Sequence, residues 1–129
     1  MNSWWQILEY DEVLTRYWEA IDNLTRDDLW TSLQLLAEYG NRCPSTISEA
    51  PGHDSRLFSL KAKSRSRKVQ IRMIYFFFSA ARKQIILVDV IEKKKRALTP
   101  SDLKTALRRK ASVETGSVHA ETFQHRPTP

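Results

Sequence analysis

The spacing of apolar positions along this chain switches between two periods, and the switches divide it into strands and helices. Residues 4–9 are rich in aromatic and branched side chains and predict a short first strand. From Asp11 the pattern becomes helical. Val13, Leu14, Tyr17, Trp18 and Ile21 recur at three- and four-residue spacing, and Asp11 is placed to cap. Thr25-Arg26-Asp27-Asp28 then has the form of a capping box with Asp28 in the usual Glu position. Leu29, Leu33, Leu36 and Ala37 make one apolar stripe, which Gly40 can end in a left-handed conformation. Two helices so close together predict an antiparallel helical hairpin.

Residues 41–55 hold Pro44, Pro51 and Gly52 among several Ser and Thr, which predicts a loop. Residues 57–63 alternate, with Ser59, Lys61 and Lys63 on one face and Phe58, Leu60 and Ala62 on the other. Ser64-Arg65-Ser66-Arg67 is polar and basic and predicts a hairpin turn without glycine. Over residues 68–78 the alternation resumes. Val69, Ile71, Met73 and Tyr75 share one face, and Gln70, Arg72 and Ile74 the other. Residues 84–91 are almost all apolar and predict a central buried strand. Thr99-Pro100-Ser101-Asp102 is a helix start, with an N-cap, a proline in the first turn and an acid at the capping-box position. Leu103, Ala106 and Leu107 form its apolar stripe, and Arg108, Arg109 and Lys110 suit the negative end of its dipole. The order predicts an α+β fold: a small antiparallel sheet with the helical hairpin and the C-terminal helix gathered on one face. A single domain over residues 1–110 is expected, and residues 111–129, polar and aperiodic, predict a disordered tail.

Charge adds what periodicity does not show. The chain has 129 residues and a formal net charge of +6, unevenly spread. Residues 1–54 carry 3 basic and 10 acidic side chains, residues 55–110 carry 17 and 3, and residues 111–129 carry 1 and 2. The middle of an otherwise acidic chain is therefore strongly cationic, which points to a polyanionic partner, nucleic acid being the commonest. No apolar run is long enough to cross a membrane, and the first residues lack the pattern of a signal peptide. Cys43 is the only cysteine, so neither an internal disulfide nor a cysteine-built metal site can form. A reducing cytoplasm is the expected location.

The ordered set of motifs resembles the RelE/ParE toxin superfamily, and within it the phage-derived HigB-like toxins of type II toxin–antitoxin systems. Leu35-Leu36-Ala37-Glu38-Tyr39-Gly40 resembles that family's leucine-rich second helix. Leu57-Phe58-Ser59-Leu60-Lys61 resembles its LYELR strand, and Ile71-Arg72-Met73-Ile74-Tyr75-Phe76 its YRIFYF strand, with Arg72 on the family's arginine. Ile85-Ile86-Leu87-Val88 followed by Lys93-Lys94 resembles its IVLLHGFxKK block, and Pro100, Leu103, Ala106 and Arg109 the start of its last helix. The resemblance covers roughly residues 4–110. The chain departs from it at Asp89, where His is common, at Ile91, where Phe is usual, and in the residues after Lys110.

The resemblance implies a RelE-like fold and a ribosome-dependent mRNA endonuclease. Such an enzyme inhibits translation and growth, and a helix-turn-helix antitoxin neutralises it. Attack of a ribose 2′-OH on the adjacent phosphate needs a base, a cation for the crowded phosphate and an acid for the leaving oxygen. The expected core strands carry no histidine, since His53 is in a loop and His119 and His125 fall in the tail. Lysine and arginine would then serve, as in RelE-like toxins, with no metal and no cofactor. Lys61 and Lys63 share a strand face, where like charges side by side favour proton release from one of them. Arg72 can offer a phosphate its bidentate fork, and Lys94 can supply the acid. Arg65, Arg67, Lys68, Lys93, Lys95 and Arg96 are the expected RNA-backbone contacts. Each assignment has a plainer rival: a solvated strand face for Lys61 and Lys63, a packing role for Arg72, electrostatic steering for the 93–96 run. Asp89, unusual on an apolar strand, is either paired to a cation or part of the site. ParE-like members of the same superfamily inhibit DNA gyrase instead, and a non-catalytic RNA or antitoxin binder is a third possibility.

Overall fold

Residues 4–44, 48–49, 56–93 and 98–124 are described in a computed structural model. Strand β1 (Gln6–Tyr10) leads through two left-handed residues, Asp11 and Glu12, into α1 (Val13–Ala20). Helix α2 (Asn23–Tyr39) follows almost at once, so the helical hairpin is present. Its caps differ from those expected. Asp11 does not cap α1. The carboxylate of Glu9, back on β1, accepts the backbone N–H of Thr15 at 2.7 Å and also its hydroxyl. Thr25 does not begin α2 but lies inside it, fully buried, with its hydroxyl against Ser64 Oγ at 2.8 Å and Ser66 Oγ at 3.1 Å. At the other end Gly40 takes φ +55° and starts a 3-10 turn, Gly40–Arg42.

The remaining strands are β2 (Ser48–Glu49), β3 (Phe58–Ser64), β4 (Val69–Ser79), β5 (Gln84–Lys93) and β6 (Ala120–Thr122), with α3 (Pro100–Glu114) between the last two. Strands β3, β4 and β5 form an antiparallel meander. Its two hairpins contain no glycine, and Lys68 and Lys83 adopt positive φ to close them. The sheet order is β2-β3-β4-β5-β1-β6. The expected antiparallel sheet is therefore mostly, not wholly, antiparallel: β1 lies parallel to β5, with Ile7 beside Ile85 and Glu9 beside Leu87. A parallel neighbour requires a long crossover, and the helical hairpin with the first strands of the meander supplies it.

The helices do not gather on one face. Helices α1 and α2 cover one side, burying Leu14, Leu29, Leu33 and Leu36 against Ile7, Leu60, Ile71, Met73, Tyr75, Ile85 and Leu87. Helix α3 covers the other, burying Leu103, Ala106 and Val113 against Ile74, Phe76, Ile86 and Val88. Strands β4 and β5 are apolar on both sides for this reason, as a strand buried on two faces must be.

The chain after residue 110 also differs from expectation. Helix α3 runs one turn further, to Glu114, so Arg108, Arg109 and Lys110 are not in its last turn. Residues 111–124 are not a disordered tail. Strand β6 pairs antiparallel with β1, the Phe123 amide donates to the Ile7 carbonyl at 3.0 Å, and the Phe123 ring is fully buried beside Trp18. One aromatic side chain offsets the polar character of the segment.

Candidate nucleic-acid interface

Alternation along β3 decides what the cationic face contains. Leu60 and Ala62 turn toward α2, so Ser59, Lys61 and Lys63 turn the other way. Helix α2 fixes this register from behind, where Ser32 Oγ donates to the carbonyl of Lys61 at 2.7 Å. Directly across the ladder, Arg72 is the partner of Lys61 and Gln70 the partner of Lys63. On the far side of β4, Gln70 faces Lys93 and Arg72 faces Ile91. Opposed residues on neighbouring strands share a face, with Cβ atoms about 4.5–5.5 Å apart. Lys61, Lys63, Gln70, Arg72 and Lys93 therefore form one polar array, beside the part of the face that α3 covers.

Arg72 is the unusual member. It is 9% exposed, and its Nη1 donates to Gln70 Oε1 at 2.9 Å. Among the described residues no acid pairs with it. Buried charges are ordinarily matched by an opposite charge, because burial without one is costly. Gln70 is a neutral acceptor that orients the guanidinium without neutralising it, leaving most of the fork's donors for an anion. Sequence reasoning passed over Gln70, although its position two residues before Arg72 on the same strand face was a usable signal.

The other expected RNA contacts separate into two kinds. Arg65 is tied to Asp28 of α2 through its backbone N–H at 2.9 Å and Nε at 2.6 Å. Arg67 makes a two-pronged pair with Glu92 at 2.6 and 2.9 Å, on the side of the sheet that carries the helical hairpin. Tyr17 donates to the same carboxylate at 2.6 Å. Arg67 holds the Glu92 carboxyl below its ordinary range, while burial and then Glu92 push the Tyr17 hydroxyl up. Arg65 thus fastens the β3–β4 hairpin to α2, and Arg67 fastens it to β5 at the carboxylate that Tyr17 of α1 shares. Lys93 is on the cationic face but pairs with Asp102 of α3 at 2.9 Å. Lys63 and Lys68 are exposed and, with Arg65 and Gln70, line a shallow concavity at the end of the array. Lys94, Lys95 and Arg96 lie outside the described residues, as do His53 and His125, while His119 is exposed just before β6.

Asp89 is paired. Its Oδ1 accepts the Val90 N–H at 2.9 Å and lies 3.5 Å from Arg109 Nη1. Burial pushes the carboxyl up, and Val90 and Arg109 oppose that shift. The pairing register skips Val88 at this point, a β-bulge. Arg109 donates to the Val88 carbonyl at 2.7 Å and stacks over the Tyr10 ring at 5.2 Å. This arginine clips α3 to the sheet. Among the described residues no three His, Cys, Asp or Glu side chains converge as metal ligands would, and no helix is long and apolar enough to cross a membrane. No protein-family model matches the chain, and no curated protein matches it.

Proposed function

We propose that this chain is an RNA-directed toxin of the RelE/HigB kind: a ribosome-dependent mRNA endonuclease that works without metal or cofactor in the cytoplasm and is silenced by a helix-turn-helix antitoxin. The observation that carries the reading is Arg72, a buried guanidinium directly across the ladder from Lys61 that lacks an acid among the described residues and is held by Gln70. An anion is the missing partner, and the phosphodiester of a strand laid across the sheet supplies it. The motif resemblance at residues 57–61, 71–76 and 85–94 and an α+β fold built on a mostly antiparallel sheet support the same reading.

In this reading the 2′-oxygen forms a bond to phosphorus and the bond from phosphorus to the 5′-oxygen breaks, leaving a cyclic phosphate and a free 5′-hydroxyl. Arg72 stabilises charge on the phosphoryl oxygens. Lys61 or Lys63 accepts the 2′-OH proton, and Lys94 returns a proton to the 5′-oxygen.

The test is pulsed expression without antitoxin, followed by mapping of new mRNA 5′ ends. Wild type is expected to cut within translated regions in step with codons. Arg72→Ala should lower the cutting rate by about 100-fold or more, and Lys61→Ala should also lower it. Growth arrest with intact mRNA and altered DNA supercoiling would replace this reading with gyrase inhibition. A fully active Lys61→Ala, Arg72→Ala double variant would show that the site is elsewhere.

A further inference from the structure

Ser59 stands on β3 two residues before Lys61 and on the same face of the sheet. It is 1% exposed, and its hydroxyl is the one buried side-chain polar atom among the described residues with no hydrogen-bond partner. Buried hydroxyls are nearly always paired, and an unpaired one carries an uncompensated loss of hydration. Its cross-strand neighbours are Ile74 on β4, which has no polar side-chain atom to offer, and Glu49 on β2. The nearest cations by register are Lys61 on its own strand and Arg72 diagonally across the ladder. Diagonal neighbours are about 7–8 Å apart, within reach of a long side chain.

Two deficits therefore occupy one short stretch of sheet: a buried hydroxyl without a partner and a buried guanidinium without an acid. A tetrahedral oxyanion meets both at once. Two of its oxygens take the paired N–H groups of the guanidinium, and a third takes the hydroxyl proton. We propose that Ser59 and Arg72 together seat one phosphate of a bound RNA strand, with Ser59 donating to a non-bridging oxygen. This rests on the RNA-directed reading above and adds a residue to it. Arg72 supplies charge, and Ser59 fixes which oxygen points into the sheet. The hydroxyl is enclosed, so the phosphate reaches it when a covering side chain swings aside, a rotamer change of the kind common at binding surfaces.

The experiment measures binding of the full chain to a short RNA whose 2′-oxygens are methylated, so that it cannot be cleaved, by fluorescence anisotropy. Thermal unfolding is recorded alongside. Ser59→Ala should bind about tenfold more weakly, with a midpoint unchanged or raised, because removing an unpaired buried hydroxyl removes its desolvation cost. Ser59→Thr, which keeps the donor, should restore affinity. Wild-type affinity in Ser59→Ala, with Arg72→Ala strongly impaired, would overturn the Ser59 assignment and leave the RNA reading standing. Wild-type affinity in both variants would remove both. A joint fall in affinity and midpoint in Ser59→Ala that Ser59→Thr does not repair would make Ser59 a packing residue and also overturn the assignment.

Discussion

Single residues place several of the contacts on which the array depends. A Cβ added to Gly40 would lie 2.0 Å from Trp5 Nε1, and the glycine has φ +55°. Trp5 thus packs directly on the backbone where α2 ends, and its own amide donates to the Ala37 carbonyl at 2.7 Å. Gly40→Ala adds a methyl group that has no room, at a backbone angle unfavourable to L-residues. The expected cost is about 2–4 kcal/mol, measured as a lowered urea midpoint. An unchanged midpoint would mean that Trp5 does not pack there in solution. The positive φ at Gly40 was legible from the end of the leucine stripe. The indole above it was not, because Trp5 is remote in sequence and reaches α2 through the tertiary fold. Arg65 and Arg67 teach the same lesson. In sequence they belong to one basic run with Lys63 and Lys68, but Asp28 and Glu92 claim the two arginines and leave the two lysines exposed. A charge run does not say which of its members already have partners.

At the scale of elements, legibility follows how local the signal is. The α3 start was readable because Thr99, Pro100 and Asp102 are consecutive or nearly so. Its capping box is complete, with the Asp102 N–H donating to Thr99 Oγ1 at 3.2 Å and the Thr99 N–H to Asp102 Oδ2 at 2.8 Å. The α1 cap was not readable, since Glu9 comes from a strand. Neither was the side of the sheet that α3 would choose, because an apolar stripe does not identify its partner face. Thr99→Ala should cost about 1 kcal/mol, seen as a lower unfolding midpoint. The Thr99 backbone N–H first, and Lys93 after it, hold the Asp102 carboxyl below its ordinary range. A depressed carboxylate stabilises the fold in full above its unfolded value, about pH 4, and loses that contribution as pH falls through the lower folded value. The difference between wild type and Asp102→Asn should therefore be full at neutral pH and shrink below about pH 4. A gap that instead widened in acid would contradict the cap and the ion pair. The same helix start carries the Lys93 contact, so the cap also fixes one border of the cationic face.

On the scale of the whole molecule, the sheet separates stability from the site. Its order runs from β2 and β3 at one edge to β1 and β6 at the other. Lys61, Lys63 and Arg72 belong to β3 and β4, whereas Phe123 follows β6 and is buried beneath Trp18 on the helical-hairpin side. Strands β5 and β1 therefore separate β6 from Lys61, Lys63 and Arg72, and Phe123 lies on the opposite face of the sheet from them. A polar segment with one buried ring reads as tail in sequence, because neither alternation nor helical spacing can register a single anchor. Phe123→Ala removes that anchor and should cost about 3–5 kcal/mol, read as a large fall in the urea midpoint. A chain ending at Glu114 should lose at least as much, since β1 would also lose its antiparallel neighbour. At low temperature, where the variant remains folded, Phe123→Ala should still bind the methylated RNA with wild-type affinity, because β6 lies at the opposite edge of the sheet from β2 and β3, with β5 and β1 between it and β4. If affinity fell with stability in the folded variant, the strand after α3 would belong to the binding surface, and the separation drawn from the sheet order would not hold.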